Sequence, residues 1–118
     1  MDDARPLFVQ ISEQIEGQIV DGSMREESQV PSINELASFN RINPATALKG
    51  VSKLVDAGIL YKRRGIGMFV AEGARARLLA GRREAFRTAY IRPLLAEAAK
   101  LDIGTDQLTD MIKKESRS

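Results

Sequence analysis

Apolar residues recur at every fourth position through the stretch PLFVQISEQIEGQIVDG, at Leu7, Ile11, Ile15 and Ile19, with Phe8 beside the first of them. That stripe predicts an amphipathic helix. It starts at Pro6, since proline suits a first helical turn, and it stops near Asp21 because Gly22 follows. SMREESQV is polar and irregular, a loop with a short extended piece around Gln29–Val30. Ser32 and Glu35 then stand at capping-box spacing, ahead of an apolar side made by Ile33, Leu36 and Ala37. This second helix has room for about two turns. A third helix opens at Asn43, a good N-cap, with Pro44 in its first position where no hydrogen bond is lost. Ala47, Leu48, Val51, Leu54 and Val55 give it a stripe expected to be buried, and Gly58 a stop.

The pattern then changes. Ile59–Lys62 and Met68–Ala71 are short apolar or aromatic runs around RRGIG, which predicts a β-hairpin. Gly65 and Gly67 permit positive φ and close approach of the backbone to something else. No helix opens from this Gly-x-Gly, so it is not a dinucleotide loop. From about Ala74 to Lys100 the helical period returns, with Leu79, Phe86, Tyr90, Leu94 and Ala98 near one side. Pro93 removes the bond to the carbonyl of Ala89 and predicts a kink. Gly104 ends the unit, and Thr105 is placed to cap a last helix carrying Leu108, Met111 and Ile112.

Three helices followed by a two-stranded hairpin is the winged helix-turn-helix order. The expected fold is therefore mainly α with a small β-hairpin: a winged helix-turn-helix over residues 1–72, then two C-terminal helices over 73–118. The third helix is expected to project, with Asn43, Thr46, Lys49, Gly50 and Lys53 outward and Ala45 among its small surface residues. Threonine and lysine there can reach base edges or phosphates in a major groove. A glycine on that face would let the helix approach closely. Arg63 and Arg64 beside the glycine tip suit phosphates or a minor groove.

Composition sharpens this picture mostly by exclusion. The 118 residues include no cysteine and no histidine, so thiol nucleophiles, Ser-His pairs and imidazole metal sites are impossible. The sixteen acidic residues are scattered along helical patterns, and no loop gathers a catalytic pair. Neither an enzyme, a metal site nor a cofactor is expected. No apolar run approaches the ~20 residues of a membrane span. The start MDDARPLF lacks the pattern of a signal peptide, and a cytoplasmic location is expected. The net charge of +2 hides an asymmetry: residues 1–40 carry eight acids and two bases (−6), residues 41–64 six bases and one acid (+5), and the remainder adds +3. A basic block over the third helix and hairpin is the footprint expected of a nucleic-acid surface.

Four segments in order, PLFVQISEQIEGQIVDG, VPSINELA, INPATALKGVSKLVDAGIL and RRGIGMFV, resemble the DNA-binding domain of GntR-family transcriptional regulators. The asparagine-proline helix start and the short helical tail resemble the YtrA subfamily in particular. The resemblance implies a homodimeric bacterial repressor, and a two-fold dimer is expected to read a palindromic site on double-stranded DNA. It carries DNA contact onto Ser32, Asn43, Thr46, Lys49, Gly65 and Gly67. To these the chemistry of the exposed side chains adds Asn34, Ala45, Lys53, Arg63 and Arg64. The tail would dimerise through Leu79, Phe86, Tyr90, Leu94, Leu95, Leu108, Met111 and Ile112. Two positions depart from the family pattern: Asn34 stands where many members have arginine, and Arg41 where the turn often has glycine. Two other classes stay open at this point, a nonspecific architectural DNA binder and a winged-helix protein-interaction module. So does a small-molecule effector, whose pocket Phe86 and Tyr90 could line, although interface or core packing is the favoured reading of that pair. Arg75, Arg77, Arg82, Arg83, Arg87 and Arg92 are read as salt-bridging and solvated residues, with a second DNA surface as the alternative.

Overall fold

The computed structural model describes residues 5–117. Helix α1 (Leu7–Asp21) buries Ile11, Ile15 and Ile19, as its period requires. Pro6 stands one place earlier than expected, at the N-cap, where its carbonyl accepts from the N–H groups of Val9 and Gln10. Gly22 closes α1 in the left-handed conformation at φ +88°. Helix α2 (Ile33–Asn40) opens with the full capping box: Glu35 N–H donates to Ser32 Oγ at 3.1 Å, and Ser32 N–H donates to Glu35 Oε1 at 2.9 Å. It ends on Arg41, whose φ of +55° is a conformation most side chains avoid.

Helix α3 (Pro44–Asp56) is defined by short-range chemistry at both ends. Asn43 Oδ1 accepts the Ala45 N–H at 2.8 Å, and Pro44 occupies the first helical position. At the far end Ile59 N–H bonds back to Leu54 O and Gly58 N–H to Val55 O, a Schellman pair around Gly58 at φ +76°. Leu54 and Ile59 are both buried, which supplies the apolar contact that accompanies this motif. Leu48 departs from the stripe expected for it: it is 52% exposed, and the buried positions of α3 are Ala47, Gly50, Val51 and Leu54.

Strands β1 (Leu60–Arg63) and β2 (Gly67–Val70) pair antiparallel, with Leu60 opposite Val70 and Arg63 opposite Gly67. The extended piece after α1 lies along the free edge of β2. Glu27 N–H donates to Val70 O, Val70 N–H to Ser28 O, and Val30 N–H to Met68 O. Inward residues of α1, α2, α3 and the sheet form one core, and Ala74 and Leu78 of α4 (Ala74–Phe86) belong to it. The start of α4 is also tied down by polar groups. The Glu26 carboxylate accepts from Gly73 N–H (2.9 Å) and Arg75 N–H (3.1 Å), Arg75 Nε donates to Val20 O, and Arg77 Nη1 donates to Gly58 O. The first compact unit accordingly runs on to Ala80, and Gly81 begins the second.

In the second unit a π-helical turn (Arg87–Ile91) precedes α5 (Arg92–Lys100), and α6 (Thr105–Ser116) follows. Pro93 has no N–H for the carbonyl of Ala89. The helix absorbs the loss just upstream by widening, so that Arg92 N–H bonds to Arg87 O five residues back. The turn after α5 uses Asp102 at φ +57°, not Gly104, as its left-handed residue. Gly104 is the N-cap of α6 and Thr105 its first helical residue, so the threonine makes no side-chain cap. A threonine cap needs its residue in the extended backbone that Gly104 has taken. Ala98 and Leu108 are the buried side chains among the described residues of this unit.

Candidate nucleic-acid interface

The face of α3 that can meet a ligand is what remains after α1 and α2 have packed against it. α1 crosses α3 at Gly50, where Ser12 Oγ donates to Gly50 O at 2.7 Å. A Cβ at Gly50 would lie 2.8 Å from Phe8 O and 3.0 Å from Ile11 Cβ. Gly50 therefore leaves the outward face assigned to it from the sequence, and the close approach it permits is that of α1. Lys49 remains exposed, but its Nζ sits 4.2 Å from the centre of the Phe8 ring, leaning toward α1 in a cation–π contact. Pro44, Ala45, Leu48 and Lys53 are exposed, and Thr46 is half-buried.

On α2, Asn34 is exposed in the first turn, while the hydroxyl of Ser32 is engaged in the capping box. That box also holds the Glu35 carboxyl below its usual 4.5, through the Ser32 backbone N–H first and the Ser32 hydroxyl second. Asn43 likewise spends its Oδ1 on the helix cap. Ser32 and Asn43 thus place the two helix starts, whatever else they touch.

The hairpin forms a wing whose turn closes through Ile66 N–H to Arg63 O at 3.0 Å, with Gly65 at φ +76°. Gly67, at φ +141°, leaves room for Gln29: a Cβ there would lie 2.6 Å from Gln29 Nε2, which donates to Ile66 O at 2.9 Å. The neighbour that Gly67 admits is thus a side chain of this same protein, and Gln29 is a residue the sequence reading missed. Arg63 lies over the Phe69 ring at 5.1 Å, and Tyr61 stacks on Phe69 with ring centroids 5.9 Å apart. Tyr61 donates its hydroxyl to the Glu27 carboxylate, which raises its phenol above the usual 10.0. Arg64 is exposed at the tip. Lys49, Lys53, Arg63 and Arg64 form no ion pair with a carboxylate among the described residues. Positive charge is therefore available along one helix and the wing. No glutamine or tyrosine spacing announces such latches, because they join segments far apart in the chain.

The tail residues divide. Leu79 is half-buried and Leu108 buried, whereas Phe86, Tyr90, Leu94, Leu95, Met111 and Ile112 are exposed. Phe86 and Tyr90 pack ring against ring at 5.4 Å on the surface. Arg75 and Arg77 are occupied with backbone carbonyls, and Arg87 pairs with Glu84. Among the described residues no cluster of acidic side chains could hold a metal ion, and no helix is long and apolar enough to cross a membrane.

A capped third helix beside a glycine-turned wing, both carrying unpaired cations, defines a winged helix-turn-helix DNA-binding protein. Residues 7–70 match the bacterial regulatory proteins of the gntR family, and the chain belongs to that family of transcriptional regulators. It is 28% identical to the HTH-type transcriptional repressor YtrA of Bacillus subtilis over 94% of this chain and 85% of YtrA. For two further curated relatives the match covers 59% and 31% of their lengths. Among solved structures, a GntR-family protein from Bacteroides thetaiotaomicron superposes with a TM-score of 0.76 at 27% identity, over 94% of this chain and 96% of that one. The DNA-binding domain of AraR, solved in complex with an operator, superposes with a TM-score of 0.55 at 33% identity, over 57% of this chain and 81% of that one.

Proposed function

We propose that this regulator is a repressor that binds a palindromic operator as a homodimer, in the cytoplasm where its DNA lies. The observation that carries the dimer is the surface of the second unit. Tyr90 is 66% exposed, Phe86, Leu94, Leu95, Met111 and Ile112 are also exposed, and among the described residues of the unit only Ala98 and Leu108 are buried. So many exposed large apolar side chains on so short a segment mark an interaction site. Similarity to a repressor over 94% of the chain, tail included, supports the same reading. One winged helix spans too few base pairs to be selective alone. Pairing two of them makes the second half-site effectively intramolecular. In each half, α3 enters the major groove with Asn43, Ala45, Thr46, Lys49 and Lys53 near it, Ser32 and Asn34 lie toward the backbone, and Arg63 and Arg64 meet phosphates beside Gly65 and Gly67. This reading requires no small-molecule effector.

Sedimentation of the intact chain and of a Tyr90→Glu, Leu94→Glu variant tests it. The intact chain should sediment as a dimer and the variant as a monomer. The variant should lose about 10²-fold in affinity for the full operator while keeping its affinity for a single half-site. A variant that stays dimeric would remove the tail from the interface. Equal affinity of the intact chain for every DNA sequence would replace the repressor with an architectural binder.

A further inference from the structure

An exposed leucine is ordinary on a protein surface. Leu48 is singled out by where it stands. It is 52% exposed near the middle of α3, the helix that the winged fold presents to DNA. Pro44 and Ala45, four and three residues earlier, are exposed too and share its edge of the helix. Lys49, the next residue and one able to donate to a base, leans onto Phe8 at 4.2 Å. The N-terminal half of this edge therefore offers carbon where polar donors were expected. The cations that draw the duplex, Lys53, Arg63 and Arg64, lie farther along the helix and on the wing.

A major groove displays one apolar feature, the 5-methyl group of thymine. Opposite a G·C pair, the Pro44–Ala45–Leu48 strip would desolvate base-edge donors and acceptors without replacing their hydrogen bonds, which is costly. Opposite thymine it would bury carbon against carbon. We infer that Leu48 reads the methyl group of a thymine in each half-site and so sets base preference there. This rests on α3 being the helix that reads DNA.

The test uses a duplex selected from random DNA by the intact chain, with each thymine of one half-site replaced in turn by deoxyuridine, which removes the methyl group alone. Binding is read by fluorescence anisotropy at one fixed salt concentration, for the intact chain and for Leu48→Ala. One replacement should weaken the intact chain about fourfold, the worth of one buried methyl group. Leu48→Ala should bind the thymine and uracil versions of that position equally. The uracil series on the intact chain does not depend on how any variant folds. If no thymine is sensitive, or if sensitivity persists undiminished in Leu48→Ala, the inference is wrong while sequence-specific binding stands. If selection enriches no sequence at all, the reading beneath it fails as well.

Discussion

Replacing Gly50 with alanine places a methyl group where α1 crosses α3. The new Cβ would meet Phe8 O at 2.8 Å, Ile11 Cβ at 3.0 Å and Ile11 Cγ2 at 3.1 Å. The first of these is a backbone atom, so relief requires moving the helix and not a side chain. In a free helix the substitution would gain about 1 kcal/mol of propensity. Against that stand about 1–3 kcal/mol for overpacking and roughly 1 kcal/mol for disturbing the Ser12–Gly50 hydrogen bond. The expected net loss is about 1–3 kcal/mol, seen as a fall of about 4–12 °C in Tm. Circular dichroism at one fixed protein concentration measures it, since pairing makes Tm concentration-dependent. Gly17→Ala is the internal control: nothing lies within 4 Å of a Cβ there, and stability should rise by up to about 1 kcal/mol. If Gly50→Ala instead melts higher, as Gly17→Ala should, the helix crossing is not tight. If it leaves Tm unchanged and weakens DNA binding, Gly50 faces the duplex after all.

Arg41 ends α2 at φ +55°, and Arg41→Gly should stabilise by about 0.5–1 kcal/mol after the entropy of the extra glycine is offset, read from the urea midpoint. Glu26 is held below its usual 4.5 by the N–H groups of Gly73 and then Arg75, and Glu35 by its capping box. Both carboxyls have lower values folded than unfolded. Their stabilisation is therefore complete above about 4.5 and lost as pH falls through the folded values. Unfolding midpoints should drop over that range, and less steeply in Glu26→Gln. A chain ending after Ala80 keeps the buried Ala74 and Leu78 and should unfold cooperatively. One ending after Glu72 should be less stable by at least about 2 kcal/mol, by urea titration.

What could be read from the sequence was local. The four-residue interval of Ile11, Ile15 and Ile19, the Ser32–Glu35 box, the Asn43–Pro44 start and the Gly58 stop each involve residues within a turn or two of one another. Each is found in the structure. The face of α3 was legible only in part, because α1 decides it from 38 residues away. Glycine carries no hydropathy to show which side it takes, so Gly50 passed for a surface residue. Leu48 sits at the margin of the apolar stripe, and only the packing of Ala47, Val51 and Leu54 shows that the core ends before it. The Gln29 latch under the wing and the Glu26 cap on α4 join distant segments by one hydrogen bond and by two, which leave no periodic trace. Thr105 failed as a cap for a smaller reason: Asp102 took the left-handed position, and Gly104 became the extended residue before α6.

Selection of bound sequences from random DNA by the intact chain tests most directly the claim that paired winged helices read an operator. The enriched sequences should be inverted repeats, with half-site centres about 34 Å apart or a multiple of that distance. They should outbind unselected DNA by about 10³-fold or more at equal salt. A single unrepeated motif, or no enrichment above unselected DNA, would contradict the account.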